Sequence, residues 1–121
     1  MERYKVRKHT ILDMTTGLEW QRKEPTGPMT WDEAMKYAET LRLGGHADWR
    51  LPTIEELFSL IDFSRSNPAS TFPGMPNDWF WSSSSYSGSS SDAWVIYSFN
   101  GNVYSYDKTY SYHVRCVRRG Q

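Results

Sequence analysis

Two capping boxes, Thr30-Trp31-Asp32-Glu33 and Thr53-Ile54-Glu55-Glu56, constrain this chain more than any other feature. In each, the threonine hydroxyl accepts from the N–H of the glutamate three residues on, and that carboxylate reaches back to the threonine N–H. A helix start is therefore fixed at both places. After Thr30, the residues Trp31, Ala34, Met35, Ala38 and Leu41 fall on one helical face, and Gly44-Gly45 supplies a stop. After Thr53, the face is Ile54, Leu57, Phe58 and Ile61, and acidic residues in both first turns complement the macrodipole. Pro25 and Pro28 bar the first helix from starting earlier. Residues 64–79, with Pro68, Pro73, Gly74 and Pro76 and no periodicity, predict a long loop of the functional or mobile kind.

What remains reads as strand. Tyr4, Val6, Ile11, Leu12, Leu18 and Trp20 mark short strands with a turn at Thr15-Thr16-Gly17, where Gly17 is free to take positive φ. Phe80 to Ser83, Ala93 to Phe99, Asn102 to Tyr106 and Tyr112 to Val117 alternate in the last third. Asn100-Gly101 is a strong hairpin signal, since both turn positions favour positive φ. Two helices followed by a meander of short strands is an α+β pattern. The length of 121 residues fits a single domain over 1–121.

Several function classes drop out. Lysine plus arginine total 14, as do aspartate plus glutamate, so the formal net charge is zero. A dedicated nucleic-acid domain normally shows a basic excess. No apolar run approaches the ~18 residues of a membrane span, and the N-terminus lacks the apolar core of a signal peptide. As written, the chain is expected in the cytoplasm, or at the cell surface or on a phage particle if exported or fused; an oligomer is left open. Cys116 is the single cysteine, which excludes an internal disulfide and an all-cysteine metal site. Set in an apolar strand, it reads as a small buried hydrophobe.

Between Ser82 and Tyr112 stand eleven serines and six tyrosines against one base, Lys108, and two acids, Asp92 and Asp107. Trp94, Val95, Ile96, Phe99 and Val103 punctuate the tract at strand spacing, so it is not a solvated linker. Tyrosine offers a large rigid amphipathic surface with two torsions to freeze, and serine, asparagine and glycine add adaptable hydrogen bonds. Antibody paratopes use the same composition for the same entropic reason. The expected contact set is Tyr86, Ser87, Tyr97, Tyr104, Tyr106, Asp107, Tyr110 and Tyr112, with a protein or glycan as ligand. Trp20, Trp31, Trp49, Trp81 and Trp94 are assigned to the core, and Trp79 to the border of the binding face. Serine, tyrosine, asparagine, aspartate, glycine, threonine and histidine are also residues reached when adenines of an asparagine codon are replaced.

Five segments together resemble a known family: Asp13 with Thr16-Gly17-Leu18-Glu19-Trp20-Gln21; Trp31-Asp32-Glu33-Ala34; Gly45-His46-Ala47-Asp48-Trp49-Arg50-Leu51-Pro52-Thr53; Trp81-Ser82-Ser83; and Val114-Arg115-Cys116-Val117-Arg118. Their order is similar to the domain family at the C-terminus of the Legionella collagen-like adhesin. The resemblance implies a C-type lectin-like fold: two helices, a small irregular antiparallel sheet and paired terminal strands. It implies binding rather than catalysis, and an association with glycosaminoglycans. Related lectin-like domains serve as variable proteins of diversity-generating retroelements, whose altered residues lie in the C-terminal part. The Tyr/Ser tract occupies that part here.

The alternatives come from other residues. Arg3, Lys5, Arg7 and Lys8 at one end and Arg115, Arg118 and Arg119 at the other would share one region if the terminal strands pair, and so hold a polyanion. Formylglycine-generating enzymes share the broad fold, but their chemistry rests on paired cysteines. No Gly-x-Ser-x-Gly elbow appears, and His9, His46 and His113 lack ligand spacing, so neither a catalytic nor a metal residue nor a cofactor is assigned. His46 is read as bracing the Gly45-to-Thr53 turn, and Asp48 and Arg50, which flank Trp49, as bonding loop backbone. Sugar-binding lectins' calcium triplets are missing, Glu24-Pro25-Thr26 being misplaced. Asn77-Asp78-Trp79 has no partner acids nearby in the chain, so binding is expected to be calcium-independent.

Overall fold

The computed structural model describes residues 2–25 and 27–120; Thr26, the end of the misplaced triplet, lies outside them. The elements in chain order are β1 (Tyr4–Val6), β2 (Thr10–Asp13), β3 (Leu18–Gln21), α1 (Trp31–Thr40), α2 (Ile54–Phe58), β4 (Trp79–Ser85), β5 (Asp92–Tyr97), β6 (Asn102–Asp107) and β7 (Val117–Arg119). The fold is α+β. Its strands form two antiparallel sheets, β1-β2-β3-β7 and β4-β5-β6, where one was expected. The terminal strands do not pair with each other, a correction to the expected pairing: β7 pairs with β3, Leu18 opposite Arg119 and Trp20 opposite Val117, because β2 and β3 come between it and β1. β1 stays on the outer edge and pairs with β2 alone.

Local chemistry explains the elements. Gly17, at φ 77°, turns β2 into β3 and donates its N–H to the Asp13 carbonyl at 2.8 Å. Both capping boxes are complete, with Glu33 and Glu56 each bonded back to the N-cap backbone. The expected helix ends are corrected. α1 stops at Leu41, whose ψ of 131° is already extended. Gly44 and Gly45 instead form the turn that lets Leu43 and His46 exchange backbone hydrogen bonds. Met35 and Phe58 do not reach the core and stay exposed, because Ala34, Ala38, Leu57 and Leu60 fill the contact.

The β5–β6 hairpin also differs from the two-residue turn that Asn100-Gly101 predicts. Tyr97 pairs with Asn102, which leaves a four-residue loop in which Gly101, at φ 81°, takes positive φ and Asn100 does not. The cause is Ser98. Its hydroxyl accepts from the Asp78 N–H at 2.9 Å, and its carbonyl accepts from the Ala69 N–H at 2.8 Å. Ser98 is thereby held against the proline-rich segment and out of the ladder. The same bonds, with Phe72 buried, pin the long 64–79 loop to the body.

The sheet β4-β5-β6 separates two cores. On one side Phe80 and Ile96 join Tyr4, Ile11, Trp20, Leu57, Leu60, Phe72 and Val117. On the other, Trp81, Ala93 and Val95 join Ala34, Ala38, Trp49, Leu51, Val114 and Cys116. The segment from Tyr112 to Val117 stitches the sheets together. His113 bridges to Phe80, and Val117 then enters the first sheet.

Candidate functional site

Strand alternation places the tyrosines. Val95 lies opposite Tyr104 and Ala93 opposite Tyr106, so both rings share the face of the Trp81 core while Val103 packs on the other side. This face continues beyond α1 as one aromatic surface. Trp79 is its centre. Tyr97 stacks on Trp79 with centroids 4.2 Å apart and planes 3° from parallel, and Phe99 continues the stack at 5.7 Å. Tyr104 lies 5.2 Å, Tyr106 5.7 Å and Tyr112 6.1 Å from the Trp79 ring. Tyr110 touches Tyr106 and Tyr112 at 6.1 and 6.3 Å. Such spacings mean that the rings pack on one another and leave no cage between them for a cation. The patch offers faces and edges to a flat or convex partner.

Depth varies across the patch. Tyr110 is 53% exposed, Phe99 39% and Tyr104 36%. Tyr97, Tyr106, Tyr112 and Trp79 are half-buried. Tyr112 stands edge-on to the fully buried Trp81 at 5.0 Å, and burial raises its phenol pKa, with Tyr106 and Tyr110 adding to the shift.

Five of the eight expected contact residues thus come together: Tyr97, Tyr104, Tyr106, Tyr110 and Tyr112. The other three do not join them. Tyr86 follows β4 and meets Trp94 edge-on at 5.1 Å, on the side of Ile96 rather than of Val95. Ser87 is exposed in the adjoining turn. Asp107 alternates away from Tyr106, and its Oδ1 accepts from the Thr109 N–H and hydroxyl at 2.9 and 2.7 Å. Those bonds hold its carboxyl below the usual range and make it a turn former. Trp31 and Trp94 are half-buried rather than core residues; Trp31 carries the Lys108 ammonium 4.0 Å over its ring. The central place of Trp79 was legible only through strand register, and that of Phe99 only through the four-residue loop.

Four of the terminal arginines are held by partners within the chain. Arg3 makes a bidentate pair with Asp13 at 2.9 and 2.8 Å, and Arg7 reaches Glu19 at 3.3 Å. Arg118 bonds both Glu19 and Asp48 at 2.6 Å. Arg115 is buried, donating to the carbonyls of Gln21 and Arg22 at 2.7 and 2.9 Å and to Glu24 at 3.3 Å. Burial lowers its pKa, against the pull of Glu24. These cations neutralise the chain's own carboxylates, because pairing the strands brings both signs together. Cys116 is fully buried, and burial pushes its thiol up to about 12.

One cluster had no signal in the sequence. His113 Nδ1 lies 3.1 Å from Glu24 Oε2, and His113 Nε2 lies 3.3 Å from Asp78 Oδ1. This corrects the expectation that Asp78 has no partner acid; the fold, not the spacing, supplies Glu24.

The segments that carry the resemblance prove to be scaffold. Trp49 is buried and donates its indole N–H to the Leu43 carbonyl at 3.1 Å; Arg50 grips Glu56 at 2.7 and 2.8 Å beside the second capping box. Val114, Arg115, Cys116 and Val117 are all buried. No curated protein matches the chain. Residues 9–118 match the profile of the Lcl C-terminal domain. That span takes in both helices, both capping boxes and the aromatic face, so the chain belongs to the Lcl C-terminal domain family, a family of adhesin-like domains.

Proposed function

We propose that this domain is a non-enzymatic binding module on a C-type lectin-like scaffold. In this reading the surface around Trp79, with Tyr97, Phe99, Tyr104, Tyr106, Tyr110 and Tyr112, takes a protein or glycan partner. The observation that carries the reading is the contiguity of these seven rings, with Tyr97 stacked, Tyr104 and Tyr112 tilted and Tyr106 edge-on against Trp79. The rings are already packed, so little side-chain freedom is left to lose on association. The buried, poorly acidic Cys116 speaks against catalysis of the formylglycine-generating kind. The ion pairing of Arg3, Arg115 and Arg118 speaks against a polyanion as the main ligand.

The face lies in the C-terminal part, on alternating strand positions, where a diversity-generating retroelement would place its changes. We therefore propose that this is such a variable protein. A near-copy of the DNA encoding residues 82–118, differing at adenines and beside a reverse-transcriptase gene, is the expected genomic context. A locus without that copy refutes the genetic reading and leaves the binding reading intact.

Binding is tested by probing a glycan array and a displayed protein library with the tag-free chain and with the Tyr104→Ala/Tyr110→Ala double variant. Saturable targets of the parent chain should weaken at least about tenfold in the double variant, as loss of aromatic hot-spot residues does. They should hold in raised salt. Targets bound equally by both, with affinity falling steeply in salt, would return the site to the basic residues.

A further inference from the structure

We propose that Glu24 and His113, oriented by Asp78, bind a divalent transition-metal ion of the zinc class. The site lies on the Phe80 side of the strands, away from Trp79 and Tyr112. It draws on three separate segments: the loop after β3, the residue before β4, and the stretch that stitches the sheets. One ligand-type atom of each residue lies within 4.8 Å of the other two.

Several features make this a built site. The His113 backbone is clamped, its N–H donating to Trp79 O at 2.8 Å and its carbonyl accepting from the Trp81 N–H at 3.0 Å. The Asp78 N–H donates to Ser98 Oγ at 2.9 Å, and its carbonyl accepts from the Ser98 N–H at 3.0 Å. Glu24 Oε1 is held by Arg115, whose side chain is only 3% exposed, and this turns Oε2 toward the imidazole. Ligands around a tetrahedral zinc ion, at ~2.0–2.2 Å from it, stand about 3.3–3.6 Å apart. The Oε2 to Nδ1 separation of 3.1 Å is already close to that value.

The chemistry follows from the ring's position between two carboxylates. Each ring nitrogen faces one carboxylate. On binding, any proton on Nδ1 passes to solvent, and bonds form from Nδ1 and Glu24 Oε2 to the ion. The Nε2–H stays on Asp78, the carboxylate–histidine–metal arrangement that fixes the ring and strengthens the ligand. Water fills the remaining positions; side-chain exposures of 18% for Glu24 and 29% for His113 leave it room. One imidazole with a carboxylate suits zinc and its neighbours better than calcium, which takes oxygen ligands.

Calorimetric titration of the tag-free, chelator-treated chain with zinc chloride should show one saturable equivalent. His113→Ala should abolish it, and Asp78→Asn should weaken it about 10–100-fold. His46→Ala and His9→Ala should leave it unchanged, and calcium chloride should give no heat of binding. Absence of a saturable site, survival of binding in His113→Ala, or an equal loss in His46→Ala overturns the proposal. So does calcium binding as tight as zinc. If His113→Ala fails to fold, Glu24→Gln, which still accepts from Arg115, decides: loss of zinc supports the site and unchanged affinity refutes it. None of these readouts depends on what the aromatic face binds.

Discussion

Replacing Tyr112 and Tyr110 separately by alanine measures how far the aromatic face belongs to the core. Tyr112 is half-buried, with its ring edge-on to Trp81 at 5.0 Å and further contacts to Tyr106 at 5.6 Å and Trp79 at 6.1 Å. A tyrosine buries ~150–250 Å² when covered, so at least about 100 Å² is withdrawn from water here. At ~25 cal/mol/Å² that is about 2.5 kcal/mol. Lost edge-on and tilted ring pairs add about 0.5–1.5 kcal/mol. Tyr112→Ala should then cost about 3–4 kcal/mol and lower Tm by about 10–15 °C in a domain of this size. Tyr110, 53% exposed, has only two ring partners, both beyond 6 Å, and should cost about 1 kcal/mol or less. Urea unfolding followed by tryptophan fluorescence reads both. The mutual hydrogen bonds of Met29 and Tyr112, at 2.8 and 2.9 Å, are backbone bonds and survive the change, so the difference reports on the ring. A loss below about 1 kcal/mol at Tyr112, or equal losses at the two positions, would refute the packing argument.

Acid should unfold the domain through its first sheet. Burial pushes the Asp13 and Glu19 carboxyls up, but Arg3 and the Thr15 N–H on Asp13, and Thr10, Arg118 and Arg7 on Glu19, outweigh it and leave both below the ordinary range. A depressed carboxylate adds stability that is whole above its unfolded value, near pH 4, and is lost as pH falls through the folded one. Urea midpoints should therefore hold from neutrality to about pH 5 and drop below about pH 4; a midpoint unchanged at about pH 3 would contradict the pairing. Gly88→Ala separates the Tyr86 region from the face: an added Cβ would stand 2.5 Å from the Tyr86 ring, which must swing off Trp94. The expected result is a changed fluorescence spectrum, a cost below about 1 kcal/mol and unaltered ligand binding; weakened binding would put Tyr86 back in the contact set.

Local rules made the helix starts and most strands readable, because a capping box or a period-two run states its own geometry within a few residues. They failed where a distant group decided the outcome. Ser98 leaves the ladder for the proline loop, so the Asn100-Gly101 signal produced a longer turn than its residues favour. Tyr86 reads like the other tyrosines, yet it follows a register shift in β4 between Trp81 and Ser85 and emerges on the other side. Of the arginines of the two ends, Arg7 and Arg118 meet on Glu19, while Arg3 is taken by Asp13 and Arg115 by Glu24, and no run of sequence announces those carboxylates. Glu24, Asp78 and His113 are joined by three-dimensional closure alone.

The separation of scaffold from face follows from the same alternation that places the rings. In β6, Val103 packs into one core while Tyr104 stands on the opposite side with 36% of its surface open. A change at Tyr104 leaves Val103, the ladder to Val95 and the capping boxes in place, since ladder bonds are made by backbone. The neighbouring positions grade away from that freedom: Tyr106 and Tyr112 lean on the Trp81 core, and Trp79 carries four of the other rings. A surface built this way tolerates replacement most at its outer members, Tyr104 and Tyr110, and least at Trp79 and Tyr112. Variation directed to the outer tyrosines would alter what the domain recognises while the inner rings keep the patch flat and rigid.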